Sequence, residues 1–121
     1  DDVPEVAELA GLVLSRLGDD VRSADNGEQG LAMAAHNLPD LIVCDFMMPG
    51  MDGWEVCRRL KATPHLAHIP VLMTGAIARE RGYLDARQLG AMGYLVAPWV
   101  PIELIGARNA ALSGGTYFPE G

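Results

Sequence analysis

The sequence predicts an α/β fold, an open parallel sheet with helices on both faces. Helical and extended patterns alternate along the chain, as they do where parallel strands are joined by helical crossovers. Two extended segments, "LIVCD" (41–45) and "PVLMT" (70–74), are apolar without alternation, the composition of strands covered on both sides. The length of 121 residues, half of them hydrophobic, suits one domain with a real core.

Taken in order, "PEVAELAGLVLSRLG" (4–18) places Val6, Leu9, Val13, Leu14 and Leu17 at three- and four-residue steps and stops at Gly18, so it reads as a helix with one apolar face. "VRSA" (21–24) reads as a short strand. Asn26 and Gly27 then turn the chain into a second helix, "EQGLAMAAHNL", with Leu31, Ala34, Ala35 and Leu38 as its buried stripe and Pro39 as its stop. "LIVCD" is a central strand, Asp52 the N-cap of a third helix, "WEVCRRLKA", and "TPHLAHI" a loop before the strand "PVLMT". A fourth helix covers roughly 79–91, "GYLVA" (93–97) is a strand, and "PIELIGARNAAL" (101–112) is the last helix. The expected domain is 1–112, and 113–121, "SGGTYFPEG", reads as a linker or frayed end.

Charge narrows the function. Nine Lys and Arg against 16 Asp and Glu give a formal charge of -7, which repels phosphate backbones and acidic lipids. No apolar run approaches the roughly 20 residues of a membrane span, so the chain reads as soluble and cytoplasmic. Cys44 and Cys57 fall in apolar patterns and read as buried thiols rather than a disulfide or metal pair. His36, His65 and His68 stand without acidic neighbours and read as surface or satisfied residues; Met47, Met48 and Met51 read as loop packing.

In such sheets the reactive groups gather where strands end at their carboxyl edge. Asp45, Thr74 and Ala97 each end a strand, and Asp1 and Asp2 precede the first helix. If all three acids converge, they cannot all stay ionised without a cation, and oxygen-only ligands suit Mg2+. A carboxylate beside that ion is placed to attack a phosphoryl group. Asp2 with Glu5 also spells a capping box for the first helix, a purely structural use of the same residues.

The chain resembles a response-regulator receiver domain of two-component signalling. The resemblance rests on "DD" at 1–2, "DFMMPGMDG" at 45–53, "PVLMTGA" at 70–76 and "GYLVAPW" at 93–99, with 43 residues from Asp2 to Asp45. It implies a flavodoxin-like fold with Asp45 as phosphoacceptor. Mg2+ would be held by Asp1, Asp2, Asp45 and the backbone carbonyl of Met47. Thr74 would contact the phosphoryl oxygens, Tyr94 would be the aromatic that rotates on activation, and Ala97-Pro98 would be a cis peptide. The implied partner is a histidine kinase or phosphotransfer protein; the implied role is a switch, with at most weak self-phosphorylation from small donors and self-dephosphorylation. The segment "LSGGTYFPEG" resembles the junction to a helix-turn-helix output in some transcriptional regulators.

Three features depart from the family pattern. The family's strand ahead of the acidic pair has no counterpart before Asp1, so the fold is expected with its first strand missing. Ala97 stands where relatives carry a lysine whose charge-assisted bond to the phosphoryl group is worth about 1.5–3 kcal/mol. Met92 and Gly93 replace the acids that commonly precede the aromatic, which argues against a dimer held by a charge network on this face. Two other readings stay open: a receiver-like interaction module that works without phosphorylation, for which Tyr94, Trp99 and Val100 are the expected exposed contacts, and an Asp-nucleophile phosphohydrolase, against which stands Met47 in place of a second Asp.

Overall fold

The structure is a computed structural model and describes residues 19–22, 24, 26–47 and 50–119. In chain order its elements are α1 (Gly27–Asn37), β1 (Ile42–Asp45), α2 (Gly53–Ala62), β2 (Val71–Gly75), α3 (Arg79–Leu89), β3 (Gly93–Val96) and α4 (Pro101–Leu112). The strands are parallel in the order β1-β2-β3, with Cys44 opposite Met73 and Met73 opposite Tyr94. This is the expected α/β architecture. The helix read over 4–18 lies outside the described residues.

Alternation along the strands splits the core in two. Cys44, Val71, Met73 and Tyr94 face a cluster with Ala34 of α1, Val56, Cys57 and Leu60 of α2, and Ala86 of α3. Leu72 and Leu95 point the other way, against Leu104, Ala107 and Ala111 of α4. All five residues of β2 are buried, so the unbroken apolar run of "PVLM" follows from helices on both sides.

Local chemistry sets the element ends. Asn26 caps α1 by accepting from the Gln29 amide at 2.8 Å, and Asp52 caps α2 by accepting from Glu55 at 3.0 Å. Leu38 ends α1 in the left-handed region, φ 45°, with its amide donating to the Ala34 carbonyl at 2.9 Å. The Ala97-Pro98 peptide is cis, as the resemblance implied.

Several expectations need correction. Val21, Arg22 and Ala24 belong to no strand: among the described residues β1 pairs only with β2, and Val21 meets the core through side-chain packing against the cluster of Leu72 and Leu95 instead of through a ladder. Of the predicted α1 stripe, Ala34 is buried and Leu31 packs on the core, but Ala35 is exposed and Leu38, turned out by its left-handed backbone, is 54% exposed. The segment read as a linker or frayed end is packed as far as Pro119: Tyr117 forms a parallel bridge with Gly93, its amide donating to the Met92 carbonyl at 2.7 Å.

Candidate functional site

The carboxyl edge of the sheet assembles the site. Parallel pairing sets Asp45 directly opposite Thr74, and Thr74 opposite Leu95. Asp45, 5% exposed, ends β1, whereas β2 runs one residue further than expected, so Thr74, 2% exposed, is followed by Gly75 at the strand end. The chain beyond β1 stays bound to β2, with the Phe46 amide donating to the Thr74 carbonyl at 2.9 Å. Asp45 Oδ1 accepts a long bond from the Met47 amide at 3.4 Å. Met47 itself is 53% exposed, which leaves this corner of the edge open to solvent.

Two glycines make room around Asp45: Gly53, the last residue of "DFMMPGMDG", and Gly75, which a one-residue slip of the strand would have put in the place of Thr74. A β-carbon on Gly53 would run into the Asp45 carbonyl oxygen, and one on Gly75 would stand 3.3 Å from Asp45 Oδ1. Gly53 therefore lets the start of α2 close against the end of β1, where its amide donates to the Phe46 carbonyl at 2.8 Å. The "DG" pair at 52–53 was the available signal: a cap followed by a residue without a side chain.

Tyr94 is 1% exposed, and its hydroxyl donates to the Ile77 carbonyl at 2.7 Å, so it turns into the protein. Burial pushes its phenol up to about 12, and the Asp45 carboxylate adds to the rise. Its ring centroid lies 5.4 Å from that of Phe46, the residue after Asp45, and 6.3 Å from Tyr83 in α3. Trp54 stacks on Phe46 at 4.6 Å and donates from Nε1 to Asp85 at 2.9 Å, tying α2 to α3.

β3 ends at Val96, one residue before the expected Ala97; Ala97 is partly buried and its amide donates to the Gly75 carbonyl at 2.6 Å, so a methyl group stands just past the strand end. The expected exposed trio is corrected: Tyr94 is buried, Trp99 is 6% exposed and packs with Leu104 and Ala107, and of the three only Val100, 53% exposed, faces solvent. A strand-end aromatic turns inward here because helices on both faces offer apolar cover. Cys44 and Cys57 are buried free thiols as expected, with Cys44 pushed up to about 12 by burial.

The acids expected at residues 1 and 2 lie outside the described residues. Within those residues no three His, Cys, Asp or Glu side chains gather as a metal cluster, and no helix is long and apolar enough to cross a membrane. What the described chain brings together is Asp45, Thr74, Gly75 and the backbone at Met47, with Ala97 bound to Gly75 and Tyr94 within electrostatic reach of Asp45.

A doubly covered parallel sheet with a buried aspartate at a strand end is an arrangement shared by signalling modules and Asp-nucleophile phosphohydrolases, and the comparisons decide between them. The chain belongs to the response regulator receiver domain family, whose model matches residues 1–109. It is 35% identical over 120 residues to the DNA-binding dual master transcriptional regulator RpaA of Synechocystis sp., covering 99% of this chain and 50% of that protein. With the alkaline phosphatase synthesis transcriptional regulatory protein PhoP of Bacillus subtilis it shares 38% identity over 112 residues, 93% of this chain and 45% of that one. The chain thus spans about half the length of these regulators. Among solved structures, a putative response regulator from Chloroflexus aurantiacus matches with TM-score 0.88 and 36% identity over 93% of each chain. The chain is accordingly a receiver domain of the two-component response-regulator type.

Proposed function

We propose that Asp45 is the phosphoacceptor of this receiver domain and that its phosphorylation regulates an output domain or partner. The observation that carries the reading is a carboxylate 5% exposed at the end of β1, in register with Thr74 and beside the open Cα of Gly75. The donor is a phosphohistidine on a histidine kinase or phosphotransfer protein. An Asp45 oxygen attacks phosphorus, the phosphorus–nitrogen bond breaks, and the leaving imidazole keeps the electron pair and takes up a proton. The product is an acyl phosphate on Asp45. The Thr74 hydroxyl contacts a phosphoryl oxygen, and slow attack by water on phosphorus releases phosphate and returns the carboxylate.

Oxygen donors alone at this edge fit a hard cation. Asp45 and the Met47 carbonyl, together with Asp1 and Asp2, would hold Mg2+. That ion supplies neutralisation of charge on carboxylate and phosphoryl group. The polar edge also supports partner contact in the aqueous phase, and cytoplasmic placement follows from the kinase reading. The relatives named as transcriptional regulators support an output that acts on DNA, carried beyond this domain.

Acetyl phosphate with Mg2+, followed by intact-mass analysis, tests the proposal. One phosphoryl adduct is expected, absent in Asp45→Asn; no adduct, or one that survives the substitution, removes it. A second reading draws on Ala97: with a methyl in place of the lysine, the domain acts as an interaction module whose shape does not depend on phosphate. Phosphorylation without any change in partner affinity would favour that reading.

A further inference from the structure

The end of β1 is gripped from α2 and, through α2, from α3. Gly53 opens α2 against the Asp45 carbonyl with no β-carbon between them, and its amide donates to the Phe46 carbonyl at 2.8 Å. Trp54 follows, and its ring lies on that of Phe46, centroid to centroid at 4.6 Å with 32° between the planes. Phe46 is fully buried and joins Asp45 to Met47, whose amide reaches back to Asp45 Oδ1. The Trp54 ring therefore covers the one residue on which the placing of both depends.

Stacking alone lets a ring slide; the indole N–H fixes it. Trp54 Nε1 donates at 2.9 Å to Asp85 Oδ2 on α3, 31 residues further along the chain. Asp85 is 8% exposed, an uncommon state for a carboxylate, whereas Glu80 of the same helix lies open to solvent. Arg81, one turn earlier in α3, donates from Nε to both Asp85 oxygens at 3.0 and 3.2 Å and so holds the carboxylate toward Trp54. A buried ion pair typically adds no stability over an apolar contact. What this one does add is a fixed direction for the indole.

We infer that Asp85 is a positioning residue for the phosphoryl chemistry of Asp45, acting through the Trp54 indole on Phe46 and so on the Asp45 carboxylate and the Met47 backbone. The inference rests on the reading of Asp45 as phosphoacceptor. Attack on phosphorus needs the carboxylate oxygen held in line, and a misplacement of about 1 Å can cost up to a hundredfold in rate. Coupling between two sites is reciprocal, so a phosphoryl mimic bound at Asp45 is felt in turn at the Trp54 N–H. The route crosses from α2 to α3 and does not pass through Ala97.

The test follows adduct formation over time by intact mass, with acetyl phosphate as donor at saturating Mg2+ and well below every variant's thermal midpoint. Asp85→Leu, and Trp54→Phe, which keeps a ring on Phe46 but loses the N–H, should each slow it at least threefold. Combined they should be no slower than the slower one alone, because both cut the same route. Asp85→Asn, whose amide oxygen still accepts from Trp54, should recover at least half the unaltered rate. Ala111→Gly loosens α4 on the other face of the sheet and controls for lost stability; its rate should stay within twofold of the unaltered chain. The second readout is the indole N–H signal that Trp54→Phe removes, which should shift when beryllofluoride, a phosphoryl mimic, binds the unaltered chain. If Asp85→Leu does not fold, Asp85→Ser is read in its place. Slowing of less than threefold in either single variant, multiplied effects in the double variant, no recovery in Asp85→Asn, equal slowing by Ala111→Gly, or an unmoved indole signal would overturn the inference while the reading of Asp45 stands. No adduct on the unaltered chain would overturn both.

Discussion

Tyr94 packs against Gly82, its ring filling the space where a β-carbon on that residue would stand. Gly82 lies within α3, where glycine is about 1 kcal/mol worse than alanine for the helix, so its presence marks a fit between α3 and β3. Gly82→Ala should therefore destabilise the domain by about 1–3 kcal/mol, overpacking outweighing the better helix propensity. Urea unfolding measures it; a rise in the midpoint would mean that Tyr94 can move away freely.

Mg2+ should raise stability by mass action, about 1.4 kcal/mol when the ion is at ten times its dissociation constant. Thermal unfolding in millimolar Mg2+ and in chelator measures the difference, which Asp45→Asn should shrink. Identical midpoints in the unaltered chain would show that Asp1, Asp2 and Asp45 form no metal site.

Ala97 should limit how far a phosphoryl group on Asp45 is felt. With beryllofluoride as mimic, amide shifts are expected to be large near Asp45 and Thr74 and small along β3 and α4, and Ala97→Lys should spread them to Tyr94. Large changes at Tyr94 in the unaltered chain would show that its inward packing couples it to the site without a cation at position 97.

Alkali should unfold the domain through two buried groups. Cys44 is raised from an ordinary 9.0 to about 12 and Tyr94 from 10.0 to about 12, both chiefly by burial. A raised folded-state value favours the protonated native form, so the contribution is complete below pH about 9 and fades as pH climbs to about 12. Cys44→Ala should flatten the lower part of that decline in unfolding experiments from pH 8 to 12, at the cost of a small cavity. An unchanged profile would locate the alkaline sensitivity elsewhere.

The element order was legible because apolar runs such as "LIVC" and "VLM" mark doubly covered strands wherever they sit, and the predicted helix over 101–112 coincides with α4. The partnership of Asp45 and Thr74 was legible for a related reason: both are polar residues at the end of such runs. What escaped depends on contacts between distant positions. The inward turn of Tyr94 needs Gly82 and the Ile77 carbonyl, neither near it in the chain. The docking of Tyr117 needs Gly93 and Gly106, and "SGGTYFPEG" by composition alone resembles any flexible connector. Proximity in space, which no local pattern encodes, decides these cases.

Leu38 holds a left-handed backbone at the exposed end of α1, a conformation that costs a residue with a side chain about 1–2 kcal/mol and that glycine adopts without penalty. It is the C-cap of α1, immediately before Pro39, and its side chain points to solvent rather than into the core. The domain thus carries an unspent reserve. Leu38→Gly would supply a more robust parent for directed evolution, one able to absorb a further harmful exchange elsewhere in the domain while selection searches for a different binding partner.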